Sequence, residues 1–130
     1  MTTPGTRTAT PLMILVAGPY RSGTDGDPAR IAANVAAMTR VSLELYRRGH
    51  LPVMGEWLAL PLIEAAERWG WDGSDPDADI FHPVAVQLLA RCDACLRIGG
   101  PSAGADELVA LARHNGKPVF TRLEDIPAVA

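Results

Sequence analysis

Short apolar runs alternate along the chain with longer segments in which apolar and polar positions follow a helical spacing. The first run covers residues 12–17 and is bounded by Pro11 and Gly18. A run of this length without polar positions is typical of a strand that is buried on both faces of a parallel sheet. We therefore predict a buried first strand here.

The segment that follows predicts a long helix. Asp27 is suited to cap this helix, and Pro28 is suited to its first helical position. Across residues 29–48 apolar side chains recur at helical spacing, and Gly49 closes the helix. The residues that define its apolar face are Ile31, Val35, Met38 and Leu45.

The rest of the chain continues the same alternation. It predicts, in order, a second strand at 50–55, a helix at 56–70, an acidic loop at 71–79, a helix that starts near Pro83, a third strand at 93–98, a helix at 105–115 and a fourth strand at 117–121. Pro61 either kinks the second helix or marks its true first turn. Gly116 is suited to end the last helix.

This order of elements predicts an α/β protein. Strands that alternate with helices form a parallel sheet covered by helices on both faces. We expect a Rossmann-like (flavodoxin-like) three-layer sandwich with a four- to five-stranded parallel sheet. Residues 12–130 are predicted to form a single domain, preceded at residues 1–11 by a flexible tail rich in Thr, Pro and Gly.

Composition and charge narrow the classes of partner. The chain has 130 residues, of which 48% are hydrophobic and 21% charged, as in an ordinary globular domain. Its net charge of −3 argues against a nucleic-acid polymer as partner, so an anionic ligand would be small and bound locally. We expect no membrane span, because no apolar run is long enough, and no secretory signal, so we expect a cytoplasmic protein.

Two cysteines, Cys92 and Cys95, form a CxxC sequence. A redox CxxC normally begins a helix after a strand, whereas this one leads into an apolar strand. We interpret both as packing cysteines, which the alternation of a strand would place on opposite faces. A redox pair or half of a zinc site is the alternative.

Three loops rich in glycine and polar residues follow the ends of predicted strands, at 18–23, 55–57 and 99–107. In an open parallel sheet, ligands bind beyond the carboxyl ends of the strands, where the strand order reverses. Because these loops converge on one edge of the sheet, we predict a ligand site there.

The third loop, GGPSAGADE, opens the last helix. Gly100 and Gly104 allow the backbone to approach a ligand, and Ser102 with the helix N-terminus would bind an anion. Asp106 and Glu107 come next, and either acid alone is also explained as a complement to the helix dipole. The loop lacks the GxGxxG pattern of a dinucleotide site.

The first loop supplies a second candidate anion site, in the sequence AGPYRSG. The guanidinium of Arg21 is always charged and matches the geometry of phosphate oxygens. With Ser22 and the backbone of Gly23 it would bind one phosphate group. A solvated surface arginine is the alternative.

Glu56 and Trp57 follow the second strand. Trp57 is suited to stack on a flat base, although a tryptophan more often belongs to a core or a subunit interface. His50, His82 and His114 show no metal-ligand spacing with one another or with the cysteines. We expect neither a metal nor a cofactor.

Four segments taken together are informative: LVAGPYRSG, a helix that contains Asn34, RRGHLPVMGEW, and ARCDACLRIGGPSAGADELVALARHNGKPVF. Their most specific element is Ser-x-Gly followed by Glu at the start of the helix after the third strand. Over about residues 12–121 the chain resembles the nucleoside 2-deoxyribosyltransferase superfamily, which includes the deoxynucleoside 5'-monophosphate N-glycosidases. The last segment looks closest to an uncharacterised branch of that superfamily.

The resemblance implies the chemistry of a retaining glycosidase. In the characterised enzymes the matching glutamate, here Glu107, attacks the anomeric carbon of the sugar and forms a covalent glycosyl intermediate. Tyr20 would lie near the sugar, and a second subunit of a homodimer or homotetramer would share the active site. The residues expected at a 5'-phosphate are Arg21, Ser22, Gly23 and Ser102.

The chain departs from the glycosidases at two points. The glycosidases carry an Asp on the helix before the third strand, eight residues ahead of the Asp that opens this strand. The strand-opening Asp is Asp93 here, so the matching helix position is Ala85. Asp79, on the preceding loop, is the candidate substitute. The turn between Ser102 and Glu107 is also one residue shorter than expected.

We therefore expect cleavage of an N-glycosidic bond, by hydrolysis or deoxyribosyl transfer, in a nucleoside 5'-monophosphate or a nucleoside. The candidate catalytic residues are Glu107, Tyr20 and Asp79, and the candidates for substrate binding are Gly18, Arg21, Ser22, Gly23, Glu56, Trp57, Gly100, Ser102 and Gly104. A non-catalytic nucleotide-binding or sensor module, favoured by Ala85, is one alternative. A second alternative is a cytokinin-activating phosphoribohydrolase, a family that carries the motif PGGxGTxxE. In the loop GGPSAGADE of this chain, however, the proline follows the glycines and the Thr of that motif is missing.

Overall fold

The computed structural model describes residues 7–8 and 10–129. Its strands are β1 (Arg7–Thr8), β2 (Met13–Ala17), β3 (Leu51–Val53), β4 (Ala94–Arg97), β5 (Val119–Phe120) and β6 (Ala128–Val129). Its helices are α1 (Pro28–Arg47), α2 (Gly55–Trp69), α3 (Pro76–Arg91) and α4 (Ala103–His114), with a 3₁₀ helix at Leu123–Asp125. The described helices include none that is both long and apolar enough to cross a bilayer.

The main sheet has four parallel strands in the order β3-β2-β4-β5. Leu15 of β2 is paired with Val53 on one side and with Cys95 on the other. The chain therefore moves outward from β2 to β3 and then crosses to the opposite side of β2 to form β4. This reversal of strand order confirms the predicted Rossmann-like α/β fold and creates a switch point between β2 and β4.

Alternate side chains of β2 enter two separate cores. Leu15 and Ala17 pack with residues of α3 and α4, whereas Ile14 and Val16 pack with Met38 and other residues of α1. Because both faces of the strand are covered, each of its central positions is apolar. The continuous apolar pattern thus reflects helices on both sides of the sheet.

The first helix begins as predicted. The Asp27 side chain accepts a hydrogen bond from the Ala29 N–H at 3.0 Å, and Pro28 occupies the first helical position. Gly49, with a φ of 95°, follows the helix in the left-handed region that glycine tolerates best. The boundaries of α1 therefore agree with the cap residues.

The prediction for α3 was wrong at its N-terminus. This helix begins at Pro76 rather than near Pro83, because the Asp75 side chain caps it by accepting from the Asp77 N–H at 3.1 Å. Pro83 lies inside the helix, where the missing N–H removes one hydrogen bond to the preceding turn. Four of the nine residues of the predicted acidic loop, 76–79, are therefore helical, and Asp79 lies in the first turn of α3.

The prediction that Cys92 and Cys95 lie on opposite faces was also wrong. Cys92 caps the C-terminus of α3 and precedes the strand, so strand alternation does not apply to it. Both thiols are free and pack in the core between the sheet, α3 and α4. Burial raises the pKa of each thiol to about 11, which agrees with packing residues rather than reactive ones.

A small second sheet joins the two ends of the described chain. β1 pairs in parallel with β6, although Arg7–Thr8 falls within the predicted tail. Residues 1–6 and 9 of that tail lie outside the described residues. The buried His50 accepts a hydrogen bond from the Leu12 N–H at Nδ1 (3.0 Å) and contacts the carbonyl oxygen of Pro127 through Nε2. It therefore links the residue before β6 to the residue before β2 of the main sheet.

Candidate functional site

A cavity of about 320 Å³ opens at the carboxyl ends of β2 and β4, at the switch point of the sheet. The first loop, the start of α2, one face of α3 and the N-terminus of α4 surround it. This volume lies within the range of small-molecule sites, roughly 300–1,000 Å³. The predicted site residues that line it are Gly18, Tyr20, Arg21, Ser22, Glu56, Ser102 and Gly104.

Gly18 allows the chain to leave β2 close beside β4. A Cβ atom at this position would lie 3.0 Å from the carbonyl oxygen of Ile98 and 3.2 Å from the sulfur of Met38. A larger residue would therefore push the first loop away from the end of β4. The close approach keeps the first loop and the glycine-rich third loop on the same cavity.

Tyr20 is fixed at the cavity by contacts on two sides. Its ring stacks on Phe81 of α3 with the centroids 4.8 Å apart, and its carbonyl oxygen accepts a hydrogen bond from Asn34 of α1 at 2.9 Å. Offset stacking of this kind stabilises a defined ring position. The two rings form an aromatic wall suited to a sugar or a base.

Arg21 lies at the cavity mouth. Its guanidinium carbon is 5.7 Å from the centroid of the Tyr20 ring, and its Nη2 atom is 3.9 Å from Oδ2 of Asp77. Both side chains of this ion pair are substantially exposed, so the pair contributes little to stability. An anionic ligand can therefore compete with Asp77 for Arg21 at low energetic cost.

Glu56 is the buried acid of the site. It lies in the first turn of α2, its exposed fraction is 7%, and its side chain lines the cavity. Burial raises the pKa of its carboxyl, while a hydrogen bond from its own backbone N–H opposes the shift. Among the described residues, Glu56 takes part in no ion pair. Glu56 therefore stays protonated to higher pH than an ordinary glutamate.

The N-terminus of α4 faces the same cavity. The hydroxyl of Ser102 caps this helix by accepting the Ala105 N–H at 3.2 Å, and the residue is buried. Ser102, Gly104 and Ala105 line the cavity. The positive end of the helix dipole therefore lies where an anion would bind.

The two adjacent acids of α4 point to different sides. Asp106 forms an ion pair with Arg97, with Nε and Oδ1 3.2 Å apart, outside the cavity. Glu107 lies beside the cavity, where its Oε2 atom is 3.3 Å from Nε2 of the cavity-lining His82. Consecutive helical residues project about 100° apart, which separates the two roles.

One face of α3 forms a wall of the cavity that the sequence analysis missed. Its members are Asp77, Ala78, Phe81, His82 and Ala85. Their spacing of three and four residues is the signal of a helical face, but the predicted loop at 71–79 and helix start near Pro83 concealed it. A Cβ at Gly55 would lie 3.1 Å from that of Ala85, so the start of α2 packs tightly on this wall.

Five predicted site residues do not line the cavity. One is Glu107, whose carboxylate reaches the lining only through its contact with His82. Asp79 accepts a hydrogen bond from the indole N–H of Trp71 at 2.9 Å and faces another groove, so it does not replace the carboxylate missing at Ala85. Gly100 accepts a hydrogen bond from Arg97 through its carbonyl oxygen at 2.8 Å. The other two are Gly23 and Trp57.

Within residues 10–129, no group of three or more His, Cys, Asp and Glu side chains is placed to hold a metal ion. No model of a known protein family matches the sequence, and no curated protein shows significant similarity to it. Membership of the nucleoside 2-deoxyribosyltransferase superfamily therefore stays a prediction from the motifs.

Proposed function

We propose that this protein cleaves the N-glycosidic bond of a nucleoside 5'-monophosphate, with Glu107 as the nucleophile. The observation that carries the proposal is the composition of one cavity. An arginine and a helix N-terminus, both suited to a phosphate, lie there together with the buried Glu56 and with His82, whose side chain contacts the carboxylate of Glu107 beside the cavity.

The 5'-phosphate would bind at the mouth of the cavity. Arg21 would exchange its exposed contact with Asp77 for the phosphate oxygens, which it matches better as a planar donor. The exposed Ser22 and the capped N-terminus of α4 at Ser102 would supply further donors. A free nucleoside would lack these contacts, which favours a monophosphate as substrate.

The sugar and base would extend from the mouth into the cavity. The wall formed by Tyr20 and Phe81 is suited to their flat or apolar faces. Glu107 would attack the anomeric carbon, and its contact with His82 orients the carboxylate at the cavity rim. Water would then release the sugar phosphate, as in a retaining glycosidase.

A homodimer that shares the site is part of this proposal. An open apolar groove runs along α1 and includes Ile31, Val35 and the half-exposed Leu43. Tyr20 lines both this groove and the cavity. A second copy that covers the groove would therefore contact an active-site ring and bury apolar surface.

The experiment that tests the activity is an end-point assay for free base. Ribo- and deoxyribonucleosides and their 5'-monophosphates would be incubated with the wild type, Glu107→Gln and Asp106→Asn. The Asp106 variant is a matched control, since its carboxylate pairs with Arg97, whereas that of Glu107 contacts the cavity-lining His82. Base release by the wild type and Asp106→Asn, but not by Glu107→Gln, supports the proposal; equal release by all three contradicts it.

A nucleotide-binding or sensor module is the second candidate. Ala85 favours it, because this position has no carboxylate and packs against Gly55. This function predicts that a monophosphate raises the melting temperature of the protein and is recovered intact. Turnover of the same ligand rules it out.

A further inference from the structure

We propose that Glu56 is the general acid that protonates the leaving base. This inference rests on the N-glycosidase function proposed above. It assigns a catalytic role to a residue that the sequence analysis placed only among the substrate-binding candidates.

The position of Glu56 is the first argument. The residue is 7% exposed and lines the cavity at the start of α2, whereas Glu107 is not a lining residue and its side chain, in contact with His82, is 66% exposed. The two acids therefore have different environments. A retaining mechanism requires this difference, because one acid must be ionised and the other must hold a proton.

The lack of a cationic partner is the second argument. In the part of the chain that the structure describes, no cationic side chain forms an ion pair with Glu56, and burial raises the pKa of its carboxyl. Glu107, in contrast, contacts His82 at 3.3 Å. The carboxyl of Glu56 thus keeps its proton at a pH where an exposed glutamate has lost it.

The packing around Glu56 is the third argument. Gly55 approaches Ala85 so closely that a Cβ on Gly55 would lie 3.1 Å from the Cβ of Ala85. The first turn of α2 is therefore anchored on α3, and Glu56 projects from a fixed backbone. A proton donor needs this kind of fixed position to be effective.

The proposed reaction forms a glycosyl intermediate on Glu107 and then hydrolyses it. A carboxylate oxygen of Glu107 forms a bond to the anomeric carbon as the bond from that carbon to the base nitrogen breaks, and the electron pair goes to the base. The Glu56 carboxyl transfers its proton to the base, which leaves neutral. Glu56, now a carboxylate, takes a proton from water, the resulting oxygen bonds to the anomeric carbon, and the bond to Glu107 breaks.

The test uses pairs of substrates that differ in whether the departing base must be protonated. A 7-methylguanine nucleotide carries a positive base that leaves as a neutral molecule without protonation, whereas a guanine nucleotide requires a proton. The corresponding pyrimidine pair is 5-fluorouracil and uracil, because fluorine makes uracil a better leaving group. Both pairs are assayed as ribo- and deoxyribonucleotides with the wild type, Glu56→Gln, Glu107→Gln and Glu64→Gln, an exposed control on α2.

The expected result is selective. Glu56→Gln loses roughly 10²- to 10⁴-fold in base release from the guanine nucleotide, the usual contribution of general acid catalysis, but only a few-fold from the 7-methylguanine nucleotide. In the pyrimidine pair the loss is larger for uracil than for 5-fluorouracil. Glu107→Gln loses activity on every substrate, and Glu64→Gln retains it.

Two outcomes overturn the proposal for Glu56 while leaving the proposed function intact. One is an equal loss on both members of a pair, and the other is no loss on either member. Release of base from none of the substrates by the wild type overturns the proposed function itself, so the two failures are distinguishable.

If Glu56→Gln fails to fold, the pH profile of the wild type tests the same proposal without a variant. At pH values where the 7-methylguanine ring keeps its N1 proton and its positive charge, activity on the guanine nucleotide falls as pH rises and Glu56 ionises, whereas activity on the 7-methylguanine nucleotide does not show this fall. The same fall for both nucleotides contradicts the proposal. The other titratable or charged groups that line the cavity are Tyr20, Arg21, Asp77 and His82, and His82 contacts Glu107. A fall in activity caused by one of these groups is expected for both nucleotides.

Discussion

The Nε2 atom of His82 lies 3.3 Å from Oε2 of Glu107, which joins the middle of α3 to the first turns of α4 across the edge of the cavity. Both side chains remain partly exposed, so the contact does little for stability. Its effect is on orientation, because it restricts the rotamers of the proposed nucleophile. We therefore predict that His82 positions the proposed nucleophile.

His82→Ala is expected to lower kcat by about three- to tenfold, the equivalent of losing an exposed polar contact, with KM nearly unchanged. His82→Gln, which keeps a hydrogen-bond donor, is expected to recover part of the loss. Steady-state kinetics of base release measure both effects. His114→Gln, on the exposed last turn of α4, is the matched control. A change in KM alone would instead place His82 in substrate binding.

The raised pKa of Glu56 predicts a pH-dependent stability. Its stabilising contribution is complete below the unfolded-state pKa of about 4.5 and is lost as pH rises through the higher folded-state pKa. Glu56→Gln, which never ionises, is therefore expected to gain stability relative to the wild type between pH 4.5 and pH 8. Urea denaturation at both values measures the difference, and Glu64→Gln should show no such gain. A constant difference across this range would contradict the prediction.

The sequence predicted the sheet and the three loops of the site because buried strands and glycine-rich turns leave local signals. The residue pattern alone did not separate Asp106 from Glu107, since the distinction depends on the direction in which α4 projects from the sheet; only the resemblance selected Glu107. His82 was missed because its partner is on a different helix. Contacts between residues of different helices leave no regular spacing in the sequence by which they could be predicted.

Asp79 shows a different limit. A segment rich in Gly, Pro and Asp is typical of a loop, but the same Asp and Pro residues also cap and begin helices. Once Asp75 and Pro76 start α3, Asp77 faces the cavity and Asp79 faces Trp71. Because α3 begins at Pro76 rather than near Pro83, Asp77 reaches the cavity and the predicted Asp79 does not.

The two cysteines are expected to resist alkylation in the folded protein. A pKa of about 11, against an ordinary value of 9.0, reduces the thiolate fraction at pH 8 about a hundredfold, and burial of both residues blocks the reagent. Mass spectrometry after brief iodoacetamide treatment at pH 8 should show unmodified Cys92 and Cys95. Both should react in urea. Rapid modification of the native protein would instead support the redox or zinc interpretation of the CxxC sequence.

The groove along α1 predicts self-association that affects the active site. Leu43→Arg places a charge in this groove, where Leu43 is 49% exposed, and is expected to convert a dimer to a monomer in light scattering coupled to size-exclusion chromatography. Leu62→Arg, at an equally exposed leucine in a different groove of α2, is the control. Because Tyr20 lines both the groove and the cavity, the monomeric variant should also lose base release. A monomeric wild type, or a dimer that survives Leu43→Arg, would show that this groove is not the interface.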